Sequence, residues 1–357
     1  MKHKGYRPVF IVGSPRSGTT WLYHLLLSAS QFAIYRSESQ VYSRFAPAIN
    51  GMLSSVKRRP FIDSWIETEF FVRSGLVASE FIESFSNCKP TPGCFLRTLM
   101  ESICEQQGAT RWAECTPDHA LYMDKIKDDF PDACFIHLVR DGRDVTLSLA
   151  KKRFISSIPQ QRNGRDISAA VYWAWITRKA AASADRYPRD VFTIHYEDLV
   201  RDTRSVLDDV SEFIQAPIDF KVVQENAIGS IRNPNSSFSN QQGHAPVGGS
   251  RWHGEDKDWL RLVEGLIGDQ LRHFGYDPMI DDSSLTLLNQ LQKLALEARF
   301  EVANSCRSLG IALPQPLEQI SEMSQSKQAP DPTIRPGENI DLIRSVVAGK
   351  KTLRDAY

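Results

Sequence analysis

Pro8-Val9-Phe10-Ile11-Val12-Gly13-Ser14-Pro15-Arg16-Ser17-Gly18-Thr19-Thr20-Trp21 reads as a buried strand that runs through a turn into a helix. A continuous run of apolar and β-branched residues suits a strand covered on both faces, as in a parallel sheet. Gly13 and Gly18 frame a loop with the spacing of phosphate-binding turns, and the strand before it and the helix after it give that spacing its meaning. Thr19 stands where nucleoside-triphosphate loops carry Lys, and the basic residue sits inside the loop as Arg16. The loop is therefore ill suited to a kinase or NTPase. Backbone N–H groups at the helix start, together with the helix dipole, still suit a doubly anionic group, with Arg16, Ser17, Thr19 and Thr20 adding side-chain donors. A turn with no ligand would not need so many polar side chains.

Outward from this loop the same alternation repeats. Residues 7–12, 134–139 and 191–195 are short apolar strands, each followed by a turn and a helix-period segment, and a further short strand precedes Pro117. Helices are expected over 19–30, 117–129, 143–153, 167–187, 199–214 and 258–274. This predicts an α/β fold, a P-loop-type parallel sheet flanked by helices. Residues 31–108 are less regular, while 156–165 and 229–249 are rich in Asn, Ser, Gly and Gln and read as loops or lids. After Asp277-Pro278 the character changes: a Leu-rich amphipathic helix over 283–309 stops at Gly310 and precedes a segment carrying Pro314, Pro316, Pro330, Pro332 and Pro336. The expected division is an α/β domain over 1–280 and a helical extension with a Pro-rich linker over 281–357. The extension's helix and its last segment, 340–357, are candidates for homo-oligomer contacts.

Composition narrows the function classes. The 43 Lys+Arg are balanced by 43 Asp+Glu, so no overall field is available to hold a nucleic acid, and any anion must be bound by a local basic cluster. The apolar runs fall far short of the roughly 20 residues of a membrane helix. The basic residues 1–7 lead into an apolar stretch that breaks at Gly13 without a small-residue cleavage site, so the expected location is cytoplasmic. Cys88, Cys94, Cys104, Cys115, Cys134 and Cys306 lack metal-ligand spacing and the density of a disulfide scaffold, and all six are expected to be reduced packing residues.

The strand over 134–139 ends in Arg140-Asp141-Gly142-Arg143-Asp144-Val145-Thr146-Leu147-Ser148. On a helix starting near Asp141, Asp144 and Ser148 share a face, so Arg140 at the strand tip and Ser148 behind it can clasp one phosphate. The alternative is a surface pair of Arg140 with Asp141 or Asp144, which would be worth little. Taken together, the two motifs resemble those of sulfotransferases that use 3′-phosphoadenosine 5′-phosphosulfate (PAPS). The first is similar to their 5′-phosphosulfate loop, in the Arg-containing variant of tyrosylprotein and many bacterial enzymes. The resemblance implies that Arg16, Ser17, Gly18, Thr19, Thr20 and Trp21 hold the phosphosulfate end of the donor, and that Arg140 and Ser148 hold its 3′-phosphate. His195-Tyr196-Glu197-Asp198-Leu199 resembles the segment whose Tyr contacts adenine, and Ser250-Arg251-Trp252-His253-Gly254 the late basic loop over the 3′-phosphate, which gives roles to Tyr196 and Arg251. The motif order covers residues 7–276.

Sulfuryl transfer needs a base for the acceptor proton. Glu38, just beyond the first helix, lies about where tyrosylprotein and heparan-type enzymes place a catalytic Glu. His119, in Glu114-Cys115-Thr116-Pro117-Asp118-His119, is the alternative by analogy with the cytosolic enzymes' His. Many bacterial relatives carry Lys where Cys115 stands. His137, mid-strand, reads as a core histidine. The resemblance implies a PAPS-dependent sulfotransferase with no metal, acting on a hydroxyl or amine of a small-molecule, glycan, lipid or peptide acceptor. A P-loop nucleotide kinase or NTPase and a non-catalytic nucleotide-binding scaffold of the same fold are the competing readings. The acceptor pocket is expected from 31–108 and later loops, where Trp65, Phe70, Phe71, Phe81 and Phe85 read as helix core before they read as pocket wall.

Overall fold

Alternate residues of the central strands face two different cores. The computed structural model describes residues 6–50, 55–155, 163–229, 250–280 and 285–309; all but the first residue of the loop expected over 229–249, most of that over 156–165 and everything from 310 onward lie outside them. Within the described residues the sheet has four parallel strands, β1 (Val9–Gly13), β2 (Ala113–Cys115), β3 (Cys134–Val139) and β4 (Val191–His195), in the order β2-β1-β3-β4. Val9 lies beside both Ala113 and Cys134, and Val139 beside His195. Phe10, Val12, Phe135 and Val139 point into one core, while Val9, Ile11, Cys134, Ile136 and Leu138 point into the other, as the two-residue strand period requires. From β1 the chain goes to one neighbour and then returns to the other, so connections diverge at the carboxyl ends of β1 and β3, where open α/β sheets form their ligand crevice.

Helix α1 (Thr19–Leu27) closes one face with Leu22, Leu25 and Leu26. Residues 31–108, expected to be less regular, fold instead into a π-helical turn (Val41–Phe45) and helices α2 (Ala46–Asn50), α3 (Ser55–Ile66), α4 (Glu69–Val72), α5 (Ala78–Ser86) and α6 (Pro92–Gln107). Trp65, Phe71, Phe81, Phe85 and Phe95 pack ring against ring there, with centroids 4.7 Å apart for Trp65–Phe95, and so belong to the core. The single helix expected over 117–129 is broken at Tyr122 into a 3-10 turn (Pro117–Leu121) and α7 (Met123–Asp129). Helices α8 (Gly142–Lys152) and α9 (Gly164–Arg186) follow β3. Beyond β4, α10 (Tyr196–Arg201) ends before Asp202, whose carboxylate accepts from the Ser205 N–H at 3.0 Å and starts α11 (Thr203–Ile214), so the helix expected over 199–214 is two. Helices α12 (Phe220–Asn226), α13 (Lys257–His273) and α14 (Leu287–Leu309) complete the described chain.

Contrary to the expectation of six reduced cysteines, Cys88 and Cys94 form a disulfide between the end of α5 and the start of α6; Cys104, Cys115 and Cys134 are buried and outside any disulfide. Helix α14 docks on α9, α13 and α2. Phe300 meets the rings of Tyr172 and Trp175 at 5.4 Å each, Trp175 Nε1 donates to Glu301 at 2.9 Å, and Arg178 pairs with Glu297. Among the described residues no helix is long and apolar enough to cross a membrane.

Candidate functional site

The turn between β1 and α1 is built by glycine. Gly18 sits at φ 96°, and a Cβ there would come within 2.5 Å of the Tyr196 ring, so the loop can lie against α10 only because that side chain is absent. Arg16 also has a positive φ, 73°. Its Nε donates to the Ser148 hydroxyl at 3.1 Å, which joins the two sequence motifs directly. Ser17 Oγ is buried with no hydrogen-bond partner among the described residues. Thr19 turns inward to the buried thiol of Cys115, Thr20 is half-buried, and the Trp21 ring stands edge-on to Tyr196 at 6.1 Å.

Arg140 leaves the tip of β3. Its guanidinium lies 4.3 Å over the Tyr196 ring and bonds Asp144 at 2.8 Å, the pairing considered from sequence, while its Nε is buried and unpartnered. Arg251 opens an exposed 3-10 turn (Arg251–Gly254) that is anchored by its neighbour. The Trp252 N–H donates to Asp144 at 3.3 Å, and its ring lies 3.7 Å from the guanidinium of Arg143, which is itself bonded to Asp141 and Glu264. Asp141, through its own N–H, and Tyr276 both donate to Glu197. Sequence reasoning missed the bonds to Glu197, Trp252 and Glu264 because each joins segments distant in the chain. Burial, then the positive charges of Arg140 and Arg251, weaken the hold of Arg16 on its proton. Guanidinium remains charged even so, and three of them converge here on a loop with a spare buried hydroxyl.

Glu38 is half-buried and lines an open cleft together with Pro15 of the loop, Gln40, Arg44, Thr116, Asp118, Phe154, Ile155, Tyr172 and Arg307. Burial pushes its carboxyl up to about 8; the bond from Gln40 opposes this, and Asp118 and Glu114 add to it. The segment bearing it is tied down by Glu114 on β2. Glu114 Oε1 accepts from the Ser39 N–H at 3.1 Å, the Ser39 hydroxyl at 2.7 Å and the Thr116 hydroxyl at 2.5 Å, and Thr116 accepts from the Gln40 N–H. Burial alone would raise the Glu114 carboxyl, but His119, Thr116 and Ser39 hold it below the usual range.

His119, the other candidate base, is turned away from the cleft. It is fully buried, with Nδ1 2.9 Å from Glu114 Oε2 and Nε2 accepting from the Tyr42 N–H at 3.3 Å, so neither nitrogen is free to take a proton from an acceptor. The 3-10 turn over Pro117–Leu121 directs the ring inward. Cys115 is fully buried on β2 and burial pushes its thiol far up, so it supplies no substitute for a lysine. His137 is a buried core residue whose ionisation burial, His195 and His273 push down to about 3.

Residues 8–220 match the profile of a group described as "Sulfotransferase family". No curated protein matches the chain. Solved structures that resemble it include the sulfotransferase domain of the Synechococcus olefin synthase, at 17% identity and TM-score 0.46, covering 88% of this chain and 98% of that one. The sulfotransferase domain of the curacin biosynthetic pathway gives 16% and 0.49 over 87% and 99% of the two chains. A sulfotransferase from Mycobacterium avium gives 16% and 0.43 over 76% and 78%.

Proposed function

Because the chain belongs to the sulfotransferase family, as the match over residues 8–220 shows, we propose that it transfers a sulfuryl group from PAPS to a hydroxyl or amine, using the loop after β1 and the tip of β3 to hold the donor. The observation that carries this reading is the convergence of Arg16, Arg140 and Arg251 on a loop whose Ser17 hydroxyl is buried without a partner. Such a concentration of positive charge and unused donors fits two separated phosphate-type groups on one ligand. When bound, PAPS supplies a sulfuryl group joined through oxygen to its 5′-phosphate. Glu38 takes the acceptor proton as the new oxygen–sulfur bond forms, and Arg16 with the loop amides stabilises the charge left on the bridging oxygen as the old bond breaks. Ser148 accepts from Arg16, which leaves its own O–H for a phosphate oxygen. Arg140 and Arg251 grip the 3′-phosphate, and Tyr196 and Trp21 offer ring edges and faces to adenine. Thr19 in place of the loop lysine disfavours a kinase.

Titration calorimetry with adenosine 3′,5′-bisphosphate and ATP tests donor class, and transfer of label from PAPS tests the chemistry against a binding-only scaffold. Tight bisphosphate binding with weak ATP binding is expected; the reverse order would overturn the proposal. Arg140→Ala should reduce the preference for adenosine 3′,5′-bisphosphate over 5′-adenylate by roughly 10- to 100-fold, the worth of a charge-assisted contact. Equal weakening of both nucleotides would show that Arg140 does not read the 3′-phosphate.

A further inference from the structure

Helix α14 begins beyond the residues that match the family, yet it reaches the cleft of Glu38. We propose that the acceptor carries an oxyacid anion, carboxylate or phosphate, beside its reacting hydroxyl, and that Arg307 of α14 and Arg44 of the π-helical turn hold it. This rests on the reading of Glu38 as base and names the acceptor class for that site.

Both guanidiniums line the cleft that Glu38 lines, and neither is salt-bridged to a carboxylate among the described residues. Arg44 lies over the rings of Phe45 and Phe70, at 5.3 and 5.6 Å, with Glu69 nearby. Arg307 stands beside the hydroxyl of Tyr122 and close to Tyr172. A charge held against rings and phenols keeps its outward N–H groups for a ligand. Of the two acids in the cleft, Asp118 is occupied by the Tyr172 hydroxyl at 2.8 Å, and burial keeps Glu38 largely protonated at neutral pH. Among the described residues neither acid is bonded to Arg44 or Arg307. The position of Arg307 is not accidental drift of a surface helix, because α14 is fixed on α9 by the buried Phe300 and the Trp175–Glu301 bond. Phe154 and Ile155 add apolar lining to the same cleft, the usual mix of apolar wall and a few polar groups in a small-molecule site.

The test uses the full chain with labelled PAPS and matched acceptor pairs that differ only in the anion: hydroxybenzoate and its methyl ester, hydroxydecanoate and its methyl ester, glycerol phosphate and glycerol. The anionic member of at least one pair should show a kcat/KM roughly 10- to 100-fold above its neutral twin. A preference confined to glycerol phosphate would identify phosphate, and one confined to the acids would identify carboxylate. In Arg307→Gln and Arg44→Gln that advantage should shrink, through KM, while binding of adenosine 3′,5′-bisphosphate stays as in the parent. Neutral twins transferred as well as the anions, no transfer to any pair despite bisphosphate binding, or an advantage that survives both substitutions would each overturn the assignment. Absence of bisphosphate binding in the parent would instead sink the donor reading on which it stands.

Discussion

Replacing Arg16 with alanine should lower turnover by roughly 1,000-fold or more, with little loss of stability. Among the described residues the side chain makes one hydrogen bond, to Ser148, and it is no member of either hydrophobic core, so the fold should not depend on it. It is the only charged side chain within the loop itself, and donors fixed on a leaving oxygen are worth roughly 100- to 1,000-fold each, with a full guanidinium charge at the upper end or beyond. Removing it also relieves Arg140 and Arg251 of a like charge, so binding of the bisphosphate should suffer much less than the chemical step. The measurements are single-turnover transfer and calorimetric affinity on one preparation. A variant retaining most of the parent rate would refute the assignment of this loop to the transferring group.

Glu38→Gln should lower turnover roughly 100- to 10,000-fold while leaving donor affinity intact, because glutamine keeps the shape and loses the basicity. Its carboxyl titrates near 8, so the parent's kcat/KM should climb as pH rises through that value, and the climb should vanish in the variant. Stability moves the opposite way. The folded protein holds the Glu38 proton up to about 8, whereas the ordinary glutamate value is 4.5, so the folded state binds the extra proton between these values and loses stability as pH rises across them. Glutamine has no charge to desolvate, and Glu38→Gln should melt on the order of 1–2 °C above the parent at about pH 9 and level with it at about pH 4. A pH profile unchanged by the substitution would remove Glu38 from the role of base.

The sheet and the turn between β1 and α1 were legible because their signals are local. The third and fourth strands lie where their apolar runs predicted, and Arg16, Ser17 and Gly18 are consecutive in the chain. Helices α2 and α4, of five and four residues, are too short to show a period, whereas the helical spacing of α5 and α6 was present in the sequence and went unread; Trp65, Phe71, Phe81 and Phe85 are core, and Phe70 is partly buried against it. His119 and Glu38 were both candidates by resemblance; the turn at Pro117, the contact with Glu114 and the bond from Tyr42, 77 residues away, separate them. Nothing local in the sequence marks Arg307 as a neighbour of Glu38, or Trp252 as the anchor of Arg251, since both depend on how α14 and the 3-10 turn dock.

The hydrogen bonds on Glu114 bear on motion as well as on position. The N–H groups of Ser39 and Gln40 are held by β2 and the residue after it, and β2 pairs with β1 at the centre of the sheet. Freeing the Ser39 amide requires breaking a bond to a fully buried carboxylate, and freeing that of Gln40 a bond to the buried Thr116 hydroxyl. The Glu38 segment therefore belongs to the same cooperative unit as the strands: its amides exchange with solvent only as fast as the sheet opens, orders of magnitude more slowly than those of an ordinary surface loop. On the proposed reading, whatever motion admits an acceptor is left to the other walls of the cleft, and Glu38 waits at a fixed address.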